Sequence, residues 1–148
     1  MILWMLLASC VLHANRAGLV QVEGERVLLV APDGSALRVQ PTLEGAPLRY
    51  LEGARVSVEG RLVGRRLRPR DFTVTDAGDG SAPFVGPLRR YGSNWLIDDR
   101  NSGATILLDE DSLGDLRDHE GRLVMVIGYV VGAQRVNVVM WKVLEPVP

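Results

Sequence analysis

Arg61, Arg65, Arg66, Arg68 and Arg70 crowd into the stretch "RLVGRRLRPR". A guanidinium carries donors in a planar fork that fits carboxylate and phosphate oxygens. Arg66, Arg68 and Arg70 share one face of a strand at period two. The set reads in two ways. It can be a docking patch for an anionic partner, such as lipid head groups or an acidic protein surface. It can also be a solvated outer face, balanced by Glu52, Glu59 and Asp71, that resists edge pairing. Pro69 has no N–H to give to a ladder, which predicts an edge strand here.

A second cluster, "DEDSLGDLRDHE" from Asp109 to Glu120, has the length of a calcium-binding loop. Asp109, Asp111, Gly114 and Glu120 match such a loop, which needs oxygen ligands at its first, third and fifth positions, glycine at the sixth and glutamate at the twelfth. Leu113 stands at the fifth position and cannot coordinate. Capping of a short helix explains the same acids, with Asp111 or Ser112 as N-cap. The two histidines, His13 and His119, are far apart, and His119 reads as solvated. No nucleophile motif, phosphate loop or metal-ligand spacing occurs, so no catalytic residue, metal or cofactor is assigned.

The elements that must position these residues appear as a repeat. Residues 18–76 laid on residues 86–144 match at a constant offset of 68 without a gap. Both copies contain E-G-x-x-V-x-V-x-G-x-x-V-G, at Glu52–Gly64 and Glu120–Gly132. A fixed-offset repeat signals duplicated structural units. Between them "AGDGSAP", residues 77–83, has the composition of a linker.

Each copy reads as strands with period-two alternation. The first gives "GLVQV", "RVLLVA", "SALRVQ", "ARVSVEGRLV" and "RLRPRDFTV". The second gives "PLRRY", "NWLIDD", "ATILL", "RLVMVIGYVV" and "RVNVVMWKVL". A short helical connection falls between the third and fourth strands of each. Gly60 and Gly128 interrupt the inner face of the fourth strand, where a curling sheet needs a bend.

This order of strands and glycines resembles the OB-fold, a five-stranded, partly open barrel. The expectation is an all-β chain with two small OB-fold-like barrels in tandem, residues 18–76 and 84–146. SH3-like barrels or one continuous β-sandwich are the alternatives. The resemblance implies oligonucleotide or oligosaccharide binding on the second and third strands and the adjoining loops. A net charge of −1 supplies no global positive field for nucleic acid. Tyr91, Trp95 and Tyr129 in the second copy are an aromatic binding face or core packing.

The N-terminus, "MILWMLLASC", is apolar as far as Cys10, the single cysteine. "Leu7-Ala8-Ser9-Cys10" resembles the lipobox of bacterial lipoproteins, though it lacks the basic residues of a secretory start. That resemblance implies a signal segment over residues 1–9, lipidation of Cys10 and a tether over residues 10–17. The chain would then be lipid-anchored in the cell envelope, on the periplasmic face or outer membrane. A cytoplasmic location follows if the segment is not a signal. The combined expectation is a non-enzymatic binding or structural module. Its partners would be the membrane, through Cys10, and a protein or glycan; an oligonucleotide-binding protein is the alternative.

Overall fold

The computed structural model describes residues 12–146, so Cys10 and the lipobox lie outside the described residues. Strands β1 (Leu12–Glu23), β2 (Arg26–Val30), β3 (Ala36–Val39), β4 (Arg55–Val63) and β5 (Arg66–Asp76) build one barrel. Strands β6 (Phe84–Tyr91), β7 (Asn94–Asp98), β8 (Thr105–Leu108), β9 (Leu123–Val131) and β10 (Arg135–Val143) build the second. The first barrel runs β1-β2-β3-β5-β4 and closes β4 on β1; the second repeats that order and closes β9 on β6. In each, the third and fifth strands pair in parallel and the other pairs are antiparallel. A 3-10 helix, η1 (Ala46–Tyr50), joins β3 to β4; η2 (Glu110–Ser112) and η3 (Gly114–His119) join β8 to β9. Two sheets that each close on themselves, with a helical turn before the fourth strand, are the OB architecture rather than a single sandwich.

The repeated motif is the fourth strand and its approach. Val56 and Val58 are buried in the first barrel, and Val124 and Val126 in the second. Gly60 faces the backbone of Arg68, and Gly128 that of Asn137, so closely that a Cβ would collide with the carbonyl oxygen. Only glycine lets the two strands approach there. Gly53 and Gly121 enter the strand at φ +84° and +82°, a backbone that side chains disfavour. Their N–H groups bond to the carbonyls of Val20 and Leu88, which ties the helical connection to the first strand.

The constant offset of 68 does not persist through the structure. Val58 pairs with Phe72, and Val126 with Trp141, an offset of 68 on one strand and 69 on the other. The β4–β5 turn has two residues between Val63 and Arg66, whereas the β9–β10 turn has three between Val131 and Arg135. The β7–β8 turn is likewise one residue longer than the β2–β3 turn. Ala36 therefore corresponds to Thr105 by pairing, and its identity with Ala104 is not structural.

The longer β7–β8 turn docks on the first barrel. The Asn101 side-chain amide donates to Val74 O at 2.9 Å and accepts from Val74 N at 3.1 Å. Arg100 lies 4.2 Å from the centroid of the Phe72 ring and bonds Asp71 at 2.7 Å. Asp99, buried at 4% exposure, shapes the turn by accepting from Val85 N, Asn101 N and the Ser102 hydroxyl. Val85, Met125 and Leu144 of the second barrel join the buried cluster of the first. The two barrels thus share apolar packing as well as polar contacts.

Three local expectations are corrected. The tether over 10–17 gives way at Leu12, because residues 12–19 pair with β4 from Leu62 back to Arg55. Pro69 is not on an edge strand, since β5 lies between β3 and β4. It is tolerated because β3 has ended at Val39, opposite Leu67, and because the β4–β5 register shifts beside it. Neither Asp111 nor Ser112 caps a helix: the Ser112 hydroxyl bonds Asp109 O and Val138 N instead.

Candidate functional site

A groove of about 690 Å³ lies beside β2 and β3 of the first barrel, with the connection over residues 40–50 as its main wall. Its apolar lining includes Val27, Val39, Pro41, Leu43 and Pro47. Leu43 is 88% exposed, an apolar side chain offered to solvent. Arg26, Arg38 and Arg49 bring guanidinium groups to the rim. Leu144, Glu145 and Pro146, which follow β10, form the remaining wall, so the second barrel completes a groove of the first. Glu25 pairs loosely with Arg49 at 3.9 Å. The Thr42 hydroxyl accepts from Gly45 N and donates to Pro69 O, and so shapes the loop.

The arginine cluster adjoins this groove through the β3–β5 pairing, where Arg38 stands opposite Arg66. Arg61 stands opposite Arg68 on one side and His13 on the other. Arg61, Arg65, Arg66, Arg68 and Arg70 are all exposed, because Leu67 and Pro69 take the inward positions. Among the described residues, none of the five, nor Arg38, has a carboxylate within salt-bridge distance. The nearby acids are engaged elsewhere: Glu59 with His13 at 3.0 Å and Asp71 with Arg100.

The second barrel kept the glycines and valines of the repeat but, of the arginine cluster, only Arg135 in the place of Arg66. By strand pairing, Tyr129 stands where Arg61 does, Asn137 where Arg68 does and Leu107 where Arg38 does. Its aromatic residues do not form one face. Trp95 is only 6% exposed, inside the core with Arg90 5.5 Å from its ring centroid. Tyr91 and Tyr129 are exposed, but on strands whose antiparallel register carries them in opposite directions. The aromatic face over Tyr91, Trp95 and Tyr129 is therefore replaced by one core residue and two separated surface residues.

The acidic stretch closes the second barrel instead of gathering ligands. Leu113 and Leu116 are buried, and Glu110, Asp111, Asp115, Asp118 and Glu120 are exposed around them. Among the described residues, no three His, Cys, Asp or Glu side chains are grouped to hold a metal. His119 is not free in solvent: its ring lies 5.2 Å from that of Trp141. A second hollow of about 480 Å³ opens at the junction of the barrels, with Met125, Ile127 and Met140 on one side and Leu51–Ala54 on the other.

Sequence reasoning missed Arg26, Arg38 and Arg49, which are scattered singly along the chain. Placing Arg26 and Arg38 on the second and third strands of an OB barrel was the available signal. No protein-family model matches the chain, and no significant relative is found among curated proteins.

Proposed function

We propose that the chain is a non-enzymatic binding module of the cell envelope, lipid-anchored through Cys10, whose first barrel receives a segment of a protein partner. The carrying observation is the groove beside β2 and β3, with apolar walls and an arginine rim. Apolar walls favour aliphatic side chains of the partner, and the guanidinium groups favour its carboxylates. A glycan fits less well, because sugar rings stack on aromatic faces and Tyr50 is the groove's one aromatic residue. The lining has no histidine, cysteine or serine, and the Thr42 hydroxyl is engaged with the Pro69 carbonyl.

Oligonucleotide binding is the second reading, favoured by the unpaired arginines beside the groove. It lacks the stacking platform that single-strand binders use. A titration of the isotope-labelled full chain followed by NMR decides between these readings. The probes are a peptide alternating Glu and Leu, its Gln-Leu analogue, a thymidine oligonucleotide and a chitin oligosaccharide. The proposal expects shifts at Val27, Val39 and Leu43 with the acidic peptide, and weaker shifts with its neutral analogue. Shifts with the oligonucleotide or sugar alone would replace it.

A further inference from the structure

We propose that the tip of the β4–β5 hairpin is a membrane-docking face that seats the first barrel on anionic lipid head groups. Two rows of exposed side chains meet there. One row is His13, Arg61 and Arg68 across β1, β4 and β5; the other is Val63, Arg66 and Arg38 across β4, β5 and β3. Arg65 sits in the turn between them. Val63, at 56% exposure, shares the face of Arg61 and Arg66; Leu12, at 61%, is exposed at the same end of the barrel but on the face of its partner Leu62. Exposed aliphatic side chains at the arginine-bearing end of a barrel suit a bilayer interface, where the former enter the acyl boundary and the latter meet phosphates. A soluble acidic partner accounts for the arginines but gives Leu12 and Val63 no role.

The course of the chain points the same way. Leu12 begins β1 opposite Leu62, at the hairpin tip, and Cys10 precedes it by two residues. Two residues span at most roughly 7 Å, so an acyl group on Cys10 enters the bilayer beside the arginines. This orientation rests on the lipid-anchored reading; the affinity of the face for anionic lipid does not. Acyl chains supply the attachment, and the arginines set which side of the barrel meets the membrane.

The test uses the full chain carrying Cys10→Ala, which has no acyl group to mask the effect. Vesicles of phosphatidylcholine alone are compared with vesicles of equal parts phosphatidylcholine and phosphatidylglycerol. The expected result is cosedimentation with the anionic vesicles only, weakening as salt is raised. Each arginine near an anionic surface contributes about fivefold, so Arg61, Arg65, Arg66 and Arg68 changed together to Gln should lose on the order of a hundredfold or more. The same changes at Arg90, Arg117 and Arg135 on the second barrel should lose little. With Cys10 removed, Val63→Cys carries a polarity-sensitive dye that should shift to the blue on anionic vesicles, whereas Val139→Cys should not. Equal binding to both vesicle types, equal binding by the quadruple variant, or binding to poly-glutamate in place of vesicles overturns the proposal. Circular dichroism of the quadruple variant separates lost docking from lost fold. Failure of the lipid anchor is read independently, from an intact Met1 in the mass of the wild-type protein.

Discussion

The side-chain amide of Asn101 bonds both backbone groups of Val74, donating to its carbonyl and accepting from its N–H. It does for β5 what a neighbouring strand would do. The same Nδ2 also donates to Pro83 O at 3.0 Å, which ties in the chain that connects the barrels. One side chain thus joins the first barrel, the connection and the second barrel. Removing it leaves part-buried backbone groups without partners. Asn101→Ala should cost about 1–3 kcal/mol and lower the thermal midpoint, with amide exchange at Val74 accelerated more than at Val58. Equal protection of Val74 in both proteins would show that the contact does not hold the barrels together.

The two classes of repeated glycine should respond differently to alanine. A Cβ at Gly86 or Gly128 would strike the carbonyl of Asp98 or Asn137. Strands would have to part, a clash of the kind that costs about 1–3 kcal/mol or more. Gly24 has φ +60° and nothing within 4 Å of a new Cβ. There alanine meets only the left-handed backbone penalty, about 1–2 kcal/mol. Urea denaturation of the three variants gives the order. Gly24→Ala as the most damaging change would refute the packing account.

Val58 and Val126 are both fully buried at equivalent places in the two barrels. Aspartate at either buries a charge with no partner, and each should destabilise by several kcal/mol. Because Val85, Met125 and Leu144 pack into the first core, damage should spread across the junction. A Val126→Asp protein whose first barrel keeps its full amide-exchange protection would contradict that coupling.

Strands were legible because alternation is local. The ten apolar–polar runs all became strands, and the fourth-strand valines and glycine took the roles their spacing demanded. Single-residue differences in turn length were not legible. Most identities between the copies lie between the two turns, from Leu48/Leu116 to Val63/Val131, where the offset is again 68, so a gapless match looked complete. The exposure of Arg66 and Arg68 followed from period two. Their meeting with Arg38 did not, because β3 and β5 pair in parallel across the whole helical connection and β4. The burial of Trp95 was likewise decided by packing, since its neighbours Asn94 and Leu96 give no sign of which face of β7 turns inward.

Asp98 offers a titration test at the surface of the second barrel. A hydrogen bond from Arg89 holds its carboxyl below the usual carboxylate range, helped by Thr105 and opposed by slight desolvation. A folded-state value below the unfolded one means that the pairing favours folding above the ordinary carboxylate range. That contribution is lost as pH falls through the depressed value. In Arg89→Gln the Asp98 side chain should titrate closer to its ordinary value, read by carboxyl-carbon NMR. An unchanged titration would assign the shift to Thr105 alone.

The extra residues in the two turns should differ in consequence. Deleting Ala133 leaves Gly132 and Gln134 between Val131 and Arg135, the two-residue length that Gly64 and Arg65 already sustain between the same strands of the first barrel. It also frees Gln134 from φ +59°, the one positive-φ side chain among the described residues. The shortened hairpin should fold with stability changed by about 1 kcal/mol or less. Deleting Ser102 gives the β7–β8 turn the length of its counterpart, which has no docking role. Ser102 is the residue whose hydroxyl and N–H bond Asp99, and its loss pulls Asn101 away from Val74. The expected outcome is a folded second barrel with fast amide exchange at Val74 and loosened contacts between barrels. If both deletions leave Val74 equally protected, the longer β7–β8 turn is an incidental difference between the copies and not the device that joins them.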